Sequence, residues 1–150
     1  MGIKHLRNLG LKPLLVLAGV FVLAGCISTK SLPPASYREG IVGTWATAGG
    51  SYVIRYFADG TACYCRSVGK NIEDPSNRWI TRFTWEIHGK TLIRTLVKSD
   101  DPFADPGSTR VYNIDFMSKD RLTWYHYVKT GRRTTLTRVP SDIAKDYCEP

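Results

Sequence analysis

The sequence has few of the residues that build most catalytic and metal sites. Its 150 residues include only four cysteines and three histidines, and neither Gly-X-Ser-X-Gly nor His-Glu-X-X-His occurs among them. No close pair of carboxylates falls on a common inner face of the strands predicted below. We therefore predict a protein that is not an enzyme and that holds neither a metal nor another cofactor.

A hydrophobic run long enough to cross a membrane is also missing. Apolar residues run from Pro13 to Gly25, whereas a transmembrane helix needs about 20 of them. Basic residues precede this run, and it ends in Leu23-Ala24-Gly25-Cys26, where small residues come before a cysteine. The pattern predicts a secretory signal peptide over residues 1–25.

The ending of this signal resembles the lipobox of bacterial lipoproteins. The resemblance implies that Cys26 is acylated with diacylglycerol, that the signal is cleaved before it, and that Cys26 becomes the first residue. Two or three acyl chains such as palmitate then hold the protein on a membrane, because each buried methylene adds about 0.8 kcal/mol of affinity. Ile27 stands where family members retained in the inner membrane carry Asp, which favours the outer membrane, facing the periplasm. The alternative is an ordinary signal peptide, or an uncleaved anchor, with a chance cysteine at its end.

Acidic residues are fewer than basic residues in this sequence. Without the signal, 18 lysines and arginines stand against 13 aspartates and glutamates. An exported chain does not meet nucleic acid, so anionic lipid headgroups or a polyanionic envelope partner are the complements to consider. A basic surface that is simply solvated is the alternative.

Helical periodicity is absent between the strands that we predict. Residues 26–39, rich in Ser and Pro, indicate a lipidated N-terminus followed by a flexible tether, and residues 40–150 form one domain. Period-two runs punctuated by Gly, Asp and Pro predict eight strands, over 41–47, 51–58, 61–68, 79–88, 91–98, 110–117, 121–129 and 132–139. Tight turns favour an eight-stranded antiparallel meander that closes into an all-β barrel, with a short helix over residues 141–148.

Three short motifs make this barrel resemble the lipocalin-like, or calycin, family. They are Gly43-Thr44-Trp45 on the first strand, the turn Asp59-Gly60-Thr61, and Arg138 on the last strand. The resemblance covers residues 40–147. It implies that Trp45 plugs the closed end of the barrel and that Arg138 stacks across it. Other small antiparallel barrels or sandwiches remain the alternative.

Strand alternation predicts an aromatic interior. The side chains expected to point inward are Trp79, Phe83, Trp85, Tyr112, Phe116, Trp124 and His126. They form either the wall of a pocket for a small apolar or amphipathic ligand or a filled aromatic core. We expect His126 to be a core histidine rather than a ligand to a metal.

Two long loops offer a second function. Residues 69–78 and 99–109 are polar and contain proline, and Phe103 is a lone aromatic in the second loop. The sequence therefore leaves open three roles: a membrane-tethered binder of a small ligand, a protein-interaction or inhibitor module acting through these loops, and a structural barrel without a ligand.

The remaining cysteines predict one disulfide bond. Cys63 and Cys65 project from the same face of a strand, too far apart for a favourable bond with each other. We therefore expect Cys148 to pair with Cys65 or with Cys63 in an oxidising envelope. The length of the preceding turn sets which face these cysteines occupy, and the sequence does not fix that length.

Overall fold

A computed structural model describes residues 30–67, 78–127, 132–144 and 148 of the chain. Eight antiparallel strands follow one another around a closed barrel, in which the first strand also pairs with the last. The strands are Gly43–Ala46 (β1), Tyr52–Tyr56 (β2), Thr61–Ser67 (β3), Arg78–His88 (β4), Thr91–Ser99 (β5), Thr109–Met117 (β6), Arg121–His126 (β7) and Arg133–Val139 (β8).

The predicted eight-stranded meander is confirmed. Every predicted strand has its counterpart, with ends that differ by up to three residues. The turn containing Asp59-Gly60 joins β2 to β3, and Gly89 adopts a positive φ of 59° between β4 and β5. Gly and Asp therefore occur at the turns that the meander requires. The sequence also predicts a tight turn at Thr130-Gly131, and this turn and most of loop 69–78 lie outside the described residues.

One end of the barrel is closed by the segment that precedes β1. A 3-10 helix, Pro34–Ser36, leads into the short helix α1, Tyr37–Ile41, whose Tyr37 and Ile41 are buried in the core. The backbone N–H of Leu32 donates to the carbonyl of Met117 at 2.6 Å. The prediction of a tether through residue 39 is therefore corrected, because the chain already packs on the barrel from Ser31 onward.

Two irregularities change the facing of side chains along the strands. The pairing of β4 with β5 shifts between Arg82 and Phe83, and the pairing of β6 with β7 shifts between Ile114 and Phe116. A bulge adds one residue and reverses the alternation beyond it. Met117 consequently enters the core, while Phe116 packs against Arg121, whose guanidinium carbon lies 4.3 Å from the Phe116 ring centre. The prediction that Phe116 points inward is wrong for this reason.

A second apolar cluster lies on the outer face of the barrel. Ala46, Val53 and Cys63 pack there against Ala144 and Cys148 of the C-terminal segment. That segment begins with a 3-10 helix, Ser141–Ala144, the described part of the helix predicted over 141–148. A disulfide bond joins Cys63 to Cys148, with 5.5 Å between their Cα atoms, and Cys65 is a free, buried thiol. This settles which of the two cysteines pairs with Cys148.

The helices of the described part of the chain are short. None of them is long and apolar enough to span a membrane. The predicted signal peptide and Cys26 lie outside the described residues.

Candidate functional site

The closed end of the barrel is built around Trp45 and Arg138. These residues are opposite each other where β1 pairs with β8, and the guanidinium carbon of Arg138 lies 4.2 Å from the centre of the Trp45 ring. The Trp45 indole N–H donates to the carbonyl of Ile41 at 2.7 Å. Arg138 donates to the carbonyls of Val42, Gly40 and Lys119 at 2.8, 2.7 and 2.6 Å. This end is therefore a structural plug in which the indole and the guanidinium are both hydrogen-bonded.

Residue 43 must be glycine for this plug to form. Gly43 has a φ of 130°, which L side chains rarely adopt. A Cβ atom at this position would also collide with Nη1 of Arg138. The Gly-X-Trp motif thus combines the indole with the one residue that lets the arginine reach the carbonyls behind it.

A pocket opens at the opposite end of the barrel. Its apolar wall contains Tyr64, Phe83, Leu96 and Tyr112, and hydroxyl groups of Thr81 and Ser99 lie beside them. Thr81 and Ser99 hydrogen-bond to each other at 2.7 Å. Ala104 and Ser108 bring the loop between β5 and β6 to the rim. The pocket therefore combines aromatic surface with a few polar groups, which is the usual composition of a small-molecule site.

Arg94 is the buried charge of this pocket. It lies on β5 between Leu92 and Leu96 and is only 8% exposed. Its guanidinium carbon lies 4.0 Å from the ring centre of Tyr112, 5.1 Å from that of Phe83 and 5.2 Å from that of Trp124. Its Nη1 donates to the Tyr52 hydroxyl at 3.1 Å. The interior of the barrel thus contains a cation surrounded by aromatic rings.

Two tyrosines next to this cation remain neutral. Burial raises the pKa of Tyr52, against an opposing effect of the Arg94 charge. Burial likewise raises the pKa of Tyr56 well above its usual range, again against the effect of Arg94. The Tyr56 hydroxyl is buried, and the Arg94 guanidinium lies near enough to act on it as a charge and as a weak hydrogen-bond donor. Both hydroxyls therefore keep their protons at any physiological pH.

The structure places the seven predicted wall residues in different surroundings. Phe83 and Tyr112 line the pocket. Trp124 contacts Arg94 deeper in the barrel, and His126 meets the Tyr112 ring edge-on at 5.2 Å. Trp85 belongs to the closed half, where its indole N–H donates to the carbonyl of Thr61 at 2.8 Å. Trp79 does not line this pocket, and Phe116 faces out.

Sequence reasoning missed Arg94 as a site residue. Strand alternation predicts charged residues on the outer face of each strand, whereas Arg94 lies on the inner face between two leucines. The alternation Leu92-Arg94-Leu96 was the available signal, since a lone charge on an otherwise apolar strand face is unusual. Asp101, which belongs to the polar loop predicted over residues 99–109, also lines the pocket, as does Arg110. In the described ranges, no three His, Cys, Asp or Glu side chains come together as metal ligands would.

Comparisons with known proteins give one structural similarity. The chain is similar to a lipocalin-like protein from Bacteroides uniformis, with 12% identity and a TM-score of 0.49 over 67% of this chain and 99% of that one. No protein-family model matches the sequence, and no curated protein matches it either. The fold is given by the barrel itself, a closed eight-stranded antiparallel meander.

Proposed function

We propose that this protein is a membrane-anchored, lipocalin-like lipoprotein of the cell envelope that binds a small amphipathic or apolar ligand. The pocket at the open end carries this proposal. There, the rings of Phe83 and Tyr112 and the side chain of Leu96 meet hydroxyl groups and a buried charge beside an opening. Sites of this composition bind an apolar body and orient it through a few polar contacts.

The dimensions of the pocket restrict the ligand. The cavity has a volume of only about 40 Å³, which is room for about three or four water molecules. The rest of the interior is filled by core side chains such as Ile114, Leu122 and Trp124. The ligand is therefore a small molecule, or a larger one that inserts only one end.

Substitutions at two neighbouring positions on β5 test whether the pocket binds a ligand. Leu96 lines it, whereas Val97, the next residue, is 57% exposed. Straight-chain alcohols of increasing length serve as uncharged probes, with binding measured by calorimetry. We expect binding to wild type, loss of binding in Leu96→Trp because the indole fills the pocket, and retained binding in the control Val97→Trp. Equal binding by both variants, or none by wild type to alcohols or other amphiphiles, would exclude a ligand pocket.

The sequence supports the anchoring, through Cys26 and the lipobox before it. Growth with an alkyne analogue of palmitate, followed by attachment of a fluorophore, reports acylation directly. We expect label on the wild-type chain and on the control Cys65→Ala, because Cys65 is buried in the fold. Cys26→Ser should lose the label and leave the membrane fraction. Label retained by Cys26→Ser would contradict lipidation at this residue.

One observation favours the second candidate, a protein-interaction module. Phe103, in the loop between β5 and β6, is 89% exposed, and large apolar side chains this exposed often anchor a partner. An envelope protein that binds the wild type and loses affinity on Phe103→Ser would support it. Binding that is unchanged by this substitution would argue against the loop as an interaction surface.

A further inference from the structure

We infer that the ligand is an amphipathic acid whose carboxylate binds Arg94 at the inner end of the pocket. This inference rests on the proposed function and adds the chemical class of the ligand. The alkyl or aromatic body of the acid would lie along Phe83, Leu96 and Tyr112, toward the opening.

Arg94 lacks a counter-charge in the described part of the chain. The ion pairs found there join His88 to Glu86 and Arg133 to Asp115, all at other positions. Asp101 also lines the pocket, but it forms no ion pair with Arg94 within 4.0 Å. A buried charge is costly unless it is paired and hydrogen-bonded. An anion entering the pocket would supply the missing partner.

Hydrogen-bond donors around Arg94 outnumber the acceptors. A guanidinium has five N–H donors and no acceptor, and the described residues provide one clear acceptor, the Tyr52 hydroxyl. Because Tyr52 accepts this bond, its own proton is free to be donated. The Tyr56 hydroxyl lies near enough to Arg94 to be a second, weaker acceptor, and its own proton is likewise available. A cluster so rich in donors fits a group that only accepts, as a carboxylate does.

The shape of the cluster favours a carboxylate in particular. The rings of Tyr112, Phe83 and Trp124 lie against the guanidinium, within 4.0 to 5.2 Å of its central carbon. Aromatic rings supply no lone-pair acceptor, so they leave the N–H groups of the guanidinium to other hydrogen-bond partners. A planar carboxylate matches the guanidinium fork with two parallel hydrogen bonds.

The mouth of the pocket adds positive charge along the entry path. Arg110 is exposed, lines the pocket, and is the direct cross-strand partner of Arg94. The charged side chains of the pocket lining are two arginines and Asp101, so their net charge is positive. Such a field raises the local concentration of anions. The low volume of the pocket admits the head group and the first part of the body, and the rest of a longer acid would extend out of the opening.

The test compares straight-chain acids with straight-chain alcohols of the same lengths, by calorimetry at neutral pH. We expect wild type to bind each acid about 10- to 100-fold more tightly than the matching alcohol, because hydrogen bonds to charged groups are the stronger ones. Arg94→Met keeps much of the side-chain volume and should reduce this ratio to about one. The control Arg121→Met removes an equal charge from the outer face near the closed end, and should leave the ratio unchanged.

The outcomes separate the inference from the proposed function. Alcohols and acids that bind wild type equally would overturn the role of Arg94 while leaving a ligand pocket in place. Equal binding of acids by wild type and Arg94→Met would do the same. If neither class binds, both proposals fail. Circular dichroism shows whether Arg94→Met folds; if it does not, the comparison of acids with alcohols on wild type still decides the question.

Discussion

At the scale of single residues, the structure of the closed end depends on the close approach of the Arg138 side chain to Gly43. Arg138 stacks on Trp45 and reaches the carbonyls of Val42 and Gly40 with its two terminal nitrogens. Those hydrogen bonds tie β8 to the segment that precedes β1. A side chain at position 43 would occupy the path of Nη1, so the plug and the glycine depend on each other.

Substitution of Gly43 should therefore cost more than substitution of another glycine with positive φ. Gly49 is the matched control, with a φ of 84° and no atom within 4 Å of the position that a Cβ would occupy. Gly49→Ala adds backbone strain alone, about 1–2 kcal/mol. Gly43→Ala adds strain and a collision, for about 2–4 kcal/mol in total. Urea unfolding measures both, and equal losses would show that the contact with Arg138 is unimportant.

A pH effect is expected at the turn between β2 and β3. Asp59 Oδ1 accepts from the hydroxyl and from the backbone N–H of Thr61, at 2.7 and 2.8 Å, and these bonds lower the pKa of Asp59. A carboxyl whose pKa is depressed on folding stabilises the fold above its unfolded pKa, about 3.9, and loses that contribution as pH falls through the folded value.

Thr61→Val removes the larger of these two effects, the hydroxyl bond, and should move the pKa of Asp59 part of the way back up. Thr61→Ser keeps the hydroxyl and serves as the control. Titration of the carboxyl carbon of Asp59 by NMR measures the shift directly. A pKa of Asp59 that is the same in the valine and serine variants would mean that the hydroxyl does not stabilise the carboxylate.

At the scale of strands and helices, the sequence predicts what is local. Period-two alternation and turn residues such as Asp59-Gly60 define each strand and hairpin, so all eight strands were found. Helix α1 was missed because five residues, Tyr37–Ile41, are too short to show helical periodicity. The bulge between Ile114 and Phe116 was missed because it depends on how β7 pairs with β6, and no local pattern records that register.

The candidate site was harder to predict than the strands for the same reason. Tyr64 on β3, Phe83 on β4, Arg94 on β5 and Tyr112 on β6 line one pocket only once the barrel has closed. The sequence correctly indicated an aromatic interior at Phe83 and Tyr112. It did not indicate Arg94, because the rule that charges face outward is reliable except where a charge has a function or a special partner.

The C-terminal segment is attached to the barrel by the bond between Cys63 and Cys148, which are 85 residues apart. Closing a loop of this length stabilises a fold by about 4–5 kcal/mol on the chain-entropy model. The double variant Cys63→Ala/Cys148→Ala should lose about that much in urea unfolding. The control Cys65→Ala removes a buried but free thiol and should cost only about 1 kcal/mol.

A thiol assay complements these measurements. Cys65 should be protected in the native protein, because it is buried and because burial raises its pKa. Once the protein is denatured without reductant, Cys65 should react, and it should be the one reactive thiol among Cys63, Cys65 and Cys148. Three reactive thiols under those conditions would contradict the disulfide bond.

At the scale of the whole molecule, the point where the N-terminal segment joins the barrel and the pocket lie at opposite ends. The chain joins the barrel at Ser31 and Leu32, which donate hydrogen bonds to the carbonyl of Met117 beside the closed end. From Cys26 to Ser31, five residues can span at most about 17 Å. A lipid on Cys26 would therefore hold the closed end near the membrane and direct the open end away from it, toward ligands in the aqueous space.

Fluorescence quenching by lipids that carry a nitroxide tests this orientation. Lys119 is exposed in the hairpin at the closed end, and Phe103 is exposed in the loop at the open end. Each position is changed to cysteine in a Cys65→Ala background, labelled with the same fluorophore, and reconstituted as the lipidated chain in vesicles. We expect stronger quenching at position 119, because the short connection keeps that hairpin near the bilayer. Stronger quenching at position 103 would show that the pocket faces the membrane, and the ligand would then enter from the lipid phase rather than from water.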